Sequence, residues 1–350
     1  MKFGKIILSI VLCCITSCKI NRPNPKELAQ FMVDINNGNI EAVKEAKKRH
    51  PNILRWSNDF GEELDMSYAH IAALRDNVEI LKLVTDKNNA TCFYKPFHET
   101  PFMFAVNKGN SAECVEYLMT YKQNYETINC YNRNYLHLFI ENKNLNLDVW
   151  NLIKTKINPK ILNQRDIENH TPIQYLVITL LVNDLYESKE MFTIFSDLLA
   201  LGANPFDLFE KESYFEGMDD NSYVQLLMCE GMDEYLKEML KYVKGKIPNY
   251  DEYSTYLNLA FYYKDYEIIP ILIPYIENIN LCTKANDTIL HWAVFHTVRN
   301  GTDKNFIKLL LNAGCDKTII DNAGDTAYSF YKNNCDTPDQ EILDMLKIDN

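Results

Sequence analysis

A four-residue pattern returns along this chain at nearly constant spacing, and no other feature of the sequence restricts its fold as strongly. It reads Ser67-Tyr68-Ala69-His70, Thr100-Pro101-Phe102-Met103, Asn134-Tyr135-Leu136-His137, Thr171-Pro172-Ile173-Gln174, Ser222-Tyr223-Val224-Gln225, Thr255-Tyr256-Leu257-Asn258, Thr288-Ile289-Leu290-His291 and Thr326-Ala327-Tyr328-Ser329. The steps between fourth positions are 33, 34, 37, 51, 33, 33 and 38 residues, so four of seven lie within one of 33. A period of that size means that one supersecondary unit is copied and stacked. The longer steps predict insertions near residues 183–190, 206–219 and 297–305.

The chemistry of the unit predicts two helices. Ser or Thr at the first position caps a helix start, and proline at the next, as in Pro101 and Pro172, suits a first turn that needs no donor. Gly38, Gly109 and Gly231 mark the end of that short helix, where left-handed backbone lets the chain turn back. Asn39, Asn77, Asn110 and Asn144 follow at the same place in successive units. A second helix then carries an apolar face at helical spacing, as in Val78, Leu81 and Val84, or Val115 and Leu118. Neither helix buries its face alone, so each unit packs on its neighbour. Pro270 and Pro274 fall where a second helix should run and predict its interruption. A leading half-repeat containing Gly38 brings the total to about nine units, and Gln340–Ile348 reads as a closing helix that covers the last apolar face.

The clearest unit, Asp287-Thr288-Ile289-Leu290-His291-Trp292-Ala293-Val294 followed by Phe306-Ile307-Lys308-Leu309-Leu310-Leu311-Asn312-Ala313-Gly314-Cys315-Asp316, resembles the ankyrin repeat, whose pattern is G-x-T-P-L-H-x-A-A, a glycine, then V-x-x-L-L-x-x-G-A-D. The resemblance extends over about residues 27–348. It implies an all-α fold, an ankyrin-type α-solenoid of about nine helix-turn-helix repeats with short β-hairpin loops. It implies that His70, His137 and His291 bond to adjacent loops, with no metal. It also implies a protein partner on the concave side, met by loop positions just before the tetrad and by the solvent-facing end of the first helix. Carried over unit by unit, those positions are Phe97, Glu99, Asn107 and Lys108; Tyr131, Arg133 and Glu141; Glu168 and His170; Asp251, Glu252, Tyr262 and Tyr263; and Phe295 and His296. Aromatics and arginine mixed with acids are the residue types of binding hot spots. For Tyr262 and Tyr263 packing between repeats is the alternative, because tyrosine serves both ends.

The first residues read differently. Lys2 and Lys5 precede an apolar run from Ile6 to Ile15, then Thr16, Ser17 and Cys18, which is the layout of a secretory signal with a small-residue cleavage site. The run is too short to span a bilayer. Ile15-Thr16-Ser17-Cys18 resembles the lipobox of bacterial lipoproteins, in which the cysteine is lipidated, as with palmitate, and becomes the new N-terminus. The expected division is therefore a signal peptide at 1–17, lipidated Cys18 and a tether through 26, and a repeat domain from 27 to 350. That places the chain in the bacterial cell envelope, on the periplasmic or surface side of a membrane. An ordinary cleaved signal with an incidental cysteine is the alternative.

Charge and motifs narrow the function. The formal net charge is -12, and losing Lys2 and Lys5 with the leader takes it to about -14. That balance repels phosphate backbones and argues against nucleic acid. Seven cysteines from Cys92 to Cys335 are scattered singly, with no CxxC or zinc spacing, and are expected to be small buried hydrophobes. No nucleophile signature, phosphate-cradling glycine loop or H-E-x-x-H occurs. The expectation is a non-enzymatic, cofactor-free scaffold for an unknown protein partner, held at the envelope. The alternatives are an immunity protein that neutralises a secreted toxin and an enzyme whose residues are distant in sequence.

Overall fold

A computed structural model describes residues 23–56, 66–108, 111–142, 145–212, 221–301 and 304–348. The expected signal peptide, Cys18, the tether as far as Arg22, Gly109, Asn110, Asn144 and parts of the insertions at 206–219 and 297–305 lie outside the described residues. The chain divides into two compact units, Met1–Ile194 and Phe195–Asn350.

Unit 1 is built from helix pairs: α1 (Pro25–Asn36) with α2 (Ile40–Arg49), α3 (Tyr68–Leu74) with α4 (Val78–Val84), α5 (Pro101–Asn107) with α6 (Ala112–Met119), and α7 (Tyr135–Glu141) with α8 (Leu147–Ile153). A single turn, α9 (Pro159–Leu162), leads to α10 (Pro172–Val182), and α11 (Lys189–Ala200) contains the division between the units. The helices α1, α3, α5, α7 and α10 stack on one another in order, and α2, α4, α6 and α8 form a parallel outer row. Unit 2 repeats the scheme with α12 (Tyr223–Cys229) and α13 (Asp233–Leu240), α14 (Tyr256–Tyr263) and α15 (Ile269–Leu272), α16 (Ile289–Asn300) and α17 (Asn305–Asn312), and α18 (Ala327–Asn334) and α19 (Gln340–Leu346). Its inner row is α12, α14, α16 and α18. Two-residue strands β1 (Lys211–Glu212) and β2 (Asn221–Ser222) pair antiparallel, Lys211 opposite Ser222. Each unit is all-α, an ankyrin-type stack of helix pairs joined by hairpin loops, as expected. No helix among the described residues is long and apolar enough to cross a membrane.

The tetrad does what its chemistry requires. Its second position is a fully buried tyrosine at Tyr68, Tyr135, Tyr223 and Tyr256, which fills the space between successive inner helices. Buried hydroxyls need partners: Tyr135 donates to the Ile153 carbonyl (3.3 Å) and Tyr256 to Ser222 Oγ (3.0 Å). Gly38 and Gly231 have φ of +76° and +67°, as their turn positions require. Asp76 (+53°) and Lys264 (+62°) take the same left-handed conformation without being glycine.

Several expectations are corrected. The leading half-repeat is a complete helix pair. Pro25 and Lys26, expected in a tether, lie in the first turn of α1, because Asn24 caps that helix through Glu27. Residues 297–300 are no loop but an added turn of α16, which runs until Gly301 adopts φ +64°. The expected insertion near 183–190 is a connecting loop over residues 183–188, between the end of α10 at Val182 and the start of α11 at Lys189. Cys114 and Cys315 are buried, as expected, but Cys130 and Cys229 are exposed, on a hairpin tip and at a helix end where no apolar layer covers them. Pro270 and Pro274 break the second helix into α15 and a 3-10 turn, Ile273–Tyr275.

The fourth-position histidines close a box. His70 Nδ1 accepts from the Ser67 backbone N–H (3.2 Å) and lies 2.8 Å from Ser67 Oγ, while its Nε2 meets the Glu99 carbonyl of the next loop (3.1 Å). These roles put the single ring proton on Nε2 and keep the ring neutral. His137 Nε2 reaches the His170 carbonyl (3.1 Å) and His291 Nε2 the Asp325 carbonyl (3.2 Å). Burial pushes His70 and His137 down to about 4. An unfolded histidine titrates near 6.5. Between those values the unfolded chain binds protons that the folded chain refuses, so stability is complete above about pH 6.5 and falls as pH drops toward 4. Each ring contributes at most about 1.4 kcal/mol per pH unit in that window. Urea midpoints should therefore fall between pH 7 and 5, and the double variant His70→Gln/His137→Gln should show a flatter fall. An unchanged slope would contradict the neutral box.

Candidate functional site

The hairpins before Asn134 and Thr171 owe their shape to one short polar side chain each. Asn129 Oδ1 accepts from the backbone N–H of Tyr131 (2.9 Å) and Arg133 (3.0 Å), and Asp166 Oδ1 from those of Glu168 and His170 (both 3.0 Å). Such turns suit Asn and Asp because their side chains mimic a backbone acceptor. The loops close by Asn129 N–H to the Arg133 carbonyl (2.9 Å) and Asp166 N–H to the His170 carbonyl (3.0 Å); in the preceding hairpin Tyr94 N–H meets the Glu99 carbonyl (2.7 Å). Left-handed residues His98, Asn132 and Asn169 turn the tips. Each tip then bonds to the next, Cys130 N–H to the Phe97 carbonyl (2.8 Å) and Ile167 N–H to the Tyr131 carbonyl (3.0 Å). Phe97, Tyr131 and Ile167 are thereby brought into a row, 39%, 41% and 57% exposed.

Between these tips and the ends of α3, α5 and α7 lies a groove of about 350 Å³. Leu74, Phe104 and Leu138 give it an apolar base, and seven sequence-predicted residues line it: Phe97, Glu99, Asn107, Lys108, Tyr131, Arg133 and Glu141. The rings of Phe97 and Tyr131 are 6.4 Å apart. Glu99 is buried, its Oε1 accepting from Asn129 Nδ2 at 2.9 Å. Burial pushes its carboxyl above the ordinary range, with Asn129 and Lys108 pulling the other way.

Arg133 organises the neighbouring wall. Its guanidinium lies 3.3 Å from Asp166, 3.8 Å from Glu168 and 3.9 Å from Glu141, and its centre is 4.6 Å from the Tyr175 ring and 5.8 Å from that of Tyr131. Burial opposes its charge, but Tyr175, Glu141 and Asp166 outweigh that and raise its proton affinity. Asp166, Glu168 and His170 also lie close enough to share an ion, their ligand atoms within 4.8 Å of one another. Arg133 already supplies that cluster with positive charge, so the geometry is that of an ion-pair network.

Residues 31–130 and 69–162 match the family model described as ankyrin repeats in three copies. Residues 31–162 of this chain carry ankyrin repeats. No curated protein matches it.

The ankyrin array distributes the remaining predicted residues unevenly. Glu168 is exposed, whereas His170 is buried, with its carbonyl taken by His137 and its N–H by Asp166, so it is a hinge of the hairpin and not a contact surface. In unit 2, Asp251 and Glu252 sit exposed on a loop where Asp251 accepts from Tyr253 N–H (2.7 Å). The two tyrosines separate: Tyr262 is 66% exposed, while the half-buried Tyr263 hydroxyl accepts from Gln225 Nε2 of the preceding repeat (3.2 Å). Phe295 is 37% exposed. His296, expected on the solvent side, is buried beside Phe261 and Tyr266, because α16 extends a turn further and this position falls within its packed stretch. Residues that position alone did not reveal are Tyr94, Asn129, Asp166 and Tyr175. The acid or amide five residues before the tetrad is the signal that finds two of them.

Removing Arg133 leaves Asp166, whose side chain is fully buried, without its cation. Arg133→Ala should destabilise unit 1 toward the roughly 3–5 kcal/mol of a broken buried pair. Phe97→Ala, at an exposed tip, should change stability by less than about 1 kcal/mol. Chemical denaturation of the two variants checks the difference, and equal losses would contradict the assignment.

Proposed function

We propose that this protein is a scaffold that seats a partner's loop or extended segment in the groove of unit 1, does no chemistry of its own, and is held at a bacterial envelope membrane through Cys18. Ankyrin repeats form a protein–protein interaction domain. The observation that carries the finer reading is the pair of exposed rings, Phe97 and Tyr131, fixed side by side above a groove in which Arg133 is paired with Glu141 and Glu99 is held by Asn129. Aromatic side chains bury much area with few torsions to freeze, and their backbones here are held by the ladder of hairpin tips. A groove of about 350 Å³ is of a size for a few side chains and not for a domain surface. The anchor is supported by the leader sequence Lys2 to Cys18. Since α1 begins at Pro25, the seven residues from Cys18 reach about 23 Å at most, which keeps the repeats near the bilayer.

The partner reading is tested with a photo-crosslinking residue placed at Phe97 and, as control, at exposed Lys48 on α2. Capture of one protein from the Phe97 position alone is the expected result, and Phe97→Ala/Tyr131→Ala should lower that partner's affinity at least about tenfold without lowering the unfolding midpoint. Equal capture from both positions, or full affinity in the double variant, sinks the proposal. For the anchor, mass spectrometry of the mature N-terminus should find a lipidated Cys18, and Cys18→Ala should release the chain from membranes. A different or unmodified N-terminal residue removes it.

A further inference from the structure

A second pocket, in unit 2, has a different character. It holds about 270 Å³ and is lined by Asp287, His291, Trp292, Phe295 and Phe330. Helix α16 supplies Trp292 and Phe295, α18 supplies Phe330, and Asp287 stands immediately before the Thr288 cap. Phe295 and Phe330 face each other with centroids 6.3 Å apart, and Trp292 lies nearly parallel to buried His296. Asp287 Oδ2 accepts one long hydrogen bond from Thr283 (3.4 Å), and Oδ1 accepts none among the described residues. Burial pushes this carboxyl above its ordinary range, with His291 and Thr283 pulling it back and Asp321 adding to the rise. His291 turns its Nε2 to the Asp325 carbonyl and its Nδ1 to the Thr288 cap, so neither ring nitrogen is bonded to Asp287. The aromatic wall already receives one guanidinium: Arg299, one turn along α16, lies 4.6 Å from the Phe295 centroid.

We propose that this pocket receives the guanidinium of an arginine side chain presented by a protein partner, stacked on the aromatic wall with its N–H groups on Asp287. The site is independent of the groove in unit 1. An anion is repelled by Asp287 and Asp321, and a neutral apolar side chain leaves Asp287 desolvated without a donor. A cation over aromatic faces is attracted by their quadrupoles, and a planar fork matches a carboxylate with two unfilled directions better than an ammonium does. The volume lies just under the range of small-molecule sites and admits about one side chain. Because the surrounding fold is a protein-interaction domain, the source is a residue of a protein and not a free metabolite.

Calorimetric titration of the full-length chain with N-acetyl-arginine amide tests this. N-acetyl-citrulline amide has the same shape without the charge, and N-acetyl-lysine amide has the charge without the fork. Saturable one-to-one binding of the arginine compound is expected, at least about tenfold tighter than either of the others. Asp287→Asn should weaken it by a similar factor while leaving the unfolding midpoint and the crosslinking from Phe97 unchanged, which separates this site from the groove. Phe330→Leu, which keeps an apolar residue there but removes a ring face, should also weaken binding and serves if the first variant folds poorly. Absence of binding, equal binding of arginine and citrulline compounds, equal binding of lysine, or full affinity in both variants each overturns the proposal.

Discussion

The bond from a fourth-position imidazole to the carbonyl that ends the next hairpin is the contact on which the register of the repeats depends. His70 reaches 29 residues ahead to Glu99, His137 reaches 33 to His170, and His291 reaches 34 to Asp325. Each bond joins a helix start in one repeat to a hairpin end in the next. Each of these carbonyls also closes its own hairpin by accepting from the backbone N–H of Tyr94, Asp166 or Asp321, so the imidazole adds the second bond, worth about 0.5–1.5 kcal/mol, that ties the hairpin to the preceding repeat. The neutral ring gives its one proton to the next hairpin and accepts the cap N–H of its own repeat on the other nitrogen, so the two bonds hold together only while the imidazole is neutral. Substitutes hold less. Gln174 and Asn258 keep the bonds to their own caps, and Met103 has neither, leaving Thr100 to cap α5 alone.

Fixing the hairpins in this way also fixes the groove of unit 1. Glu99 takes the His70 proton on its carbonyl, and its carboxylate is left to hold Asn129, the residue that shapes the following hairpin. Asp166 shapes the third hairpin and holds Arg133 of the second. The acids and the arginine that line or border the groove are therefore first of all the means by which one loop positions the next. The tips themselves, Phe97 and Tyr131, have no such duty. Their carbonyls are engaged but their rings are left to solvent, and a partner meets them without any internal bond being broken.

The repeat and its caps were legible because they rest on local chemistry: a Ser, Thr or Asn beside a proline or buried tyrosine states its role within four residues. Seven groove residues were legible for the same reason, since register carries them to the same place in each repeat. What register cannot separate is outward from inward. It selected Phe97 and His170 alike, although one is a tip and the other is tied between His137 and Asp166. His296 was misplaced because α16 runs a turn longer than its counterparts, which no break in the sequence before Gly301 announced. Left-handed turns at Asp76 and Lys264 were invisible for want of glycine. Asp166 and Asn129 escaped because their importance is to their own hairpin's N–H groups. The pocket of Trp292, Phe295 and Phe330 joins two helices, and Phe330 lies too far along the chain for spacing to connect it with the others.

The two sites differ in what they leave unsatisfied, and that difference decides what each can select. Around Arg133 three carboxylates stand within 4 Å of one cation, and buried Asp166 has both its backbone donors and its counter-ion. A partner approaching that groove gains little by bringing charge, so discrimination there falls to the shape of the apolar base and to contact with two aromatic rings. Around Asp287 the balance is reversed: a half-buried carboxylate has one weak donor and sits among rings that attract cations. Selection there falls to charge, since an uncharged occupant leaves the carboxylate worse off than water did. The formal net charge of -12 acts at longer range and in the same sense, drawing basic partners toward the surface before either site is reached. A basic segment bearing both an arginine and an apolar stretch satisfies both kinds of demand, whereas an acidic one satisfies neither.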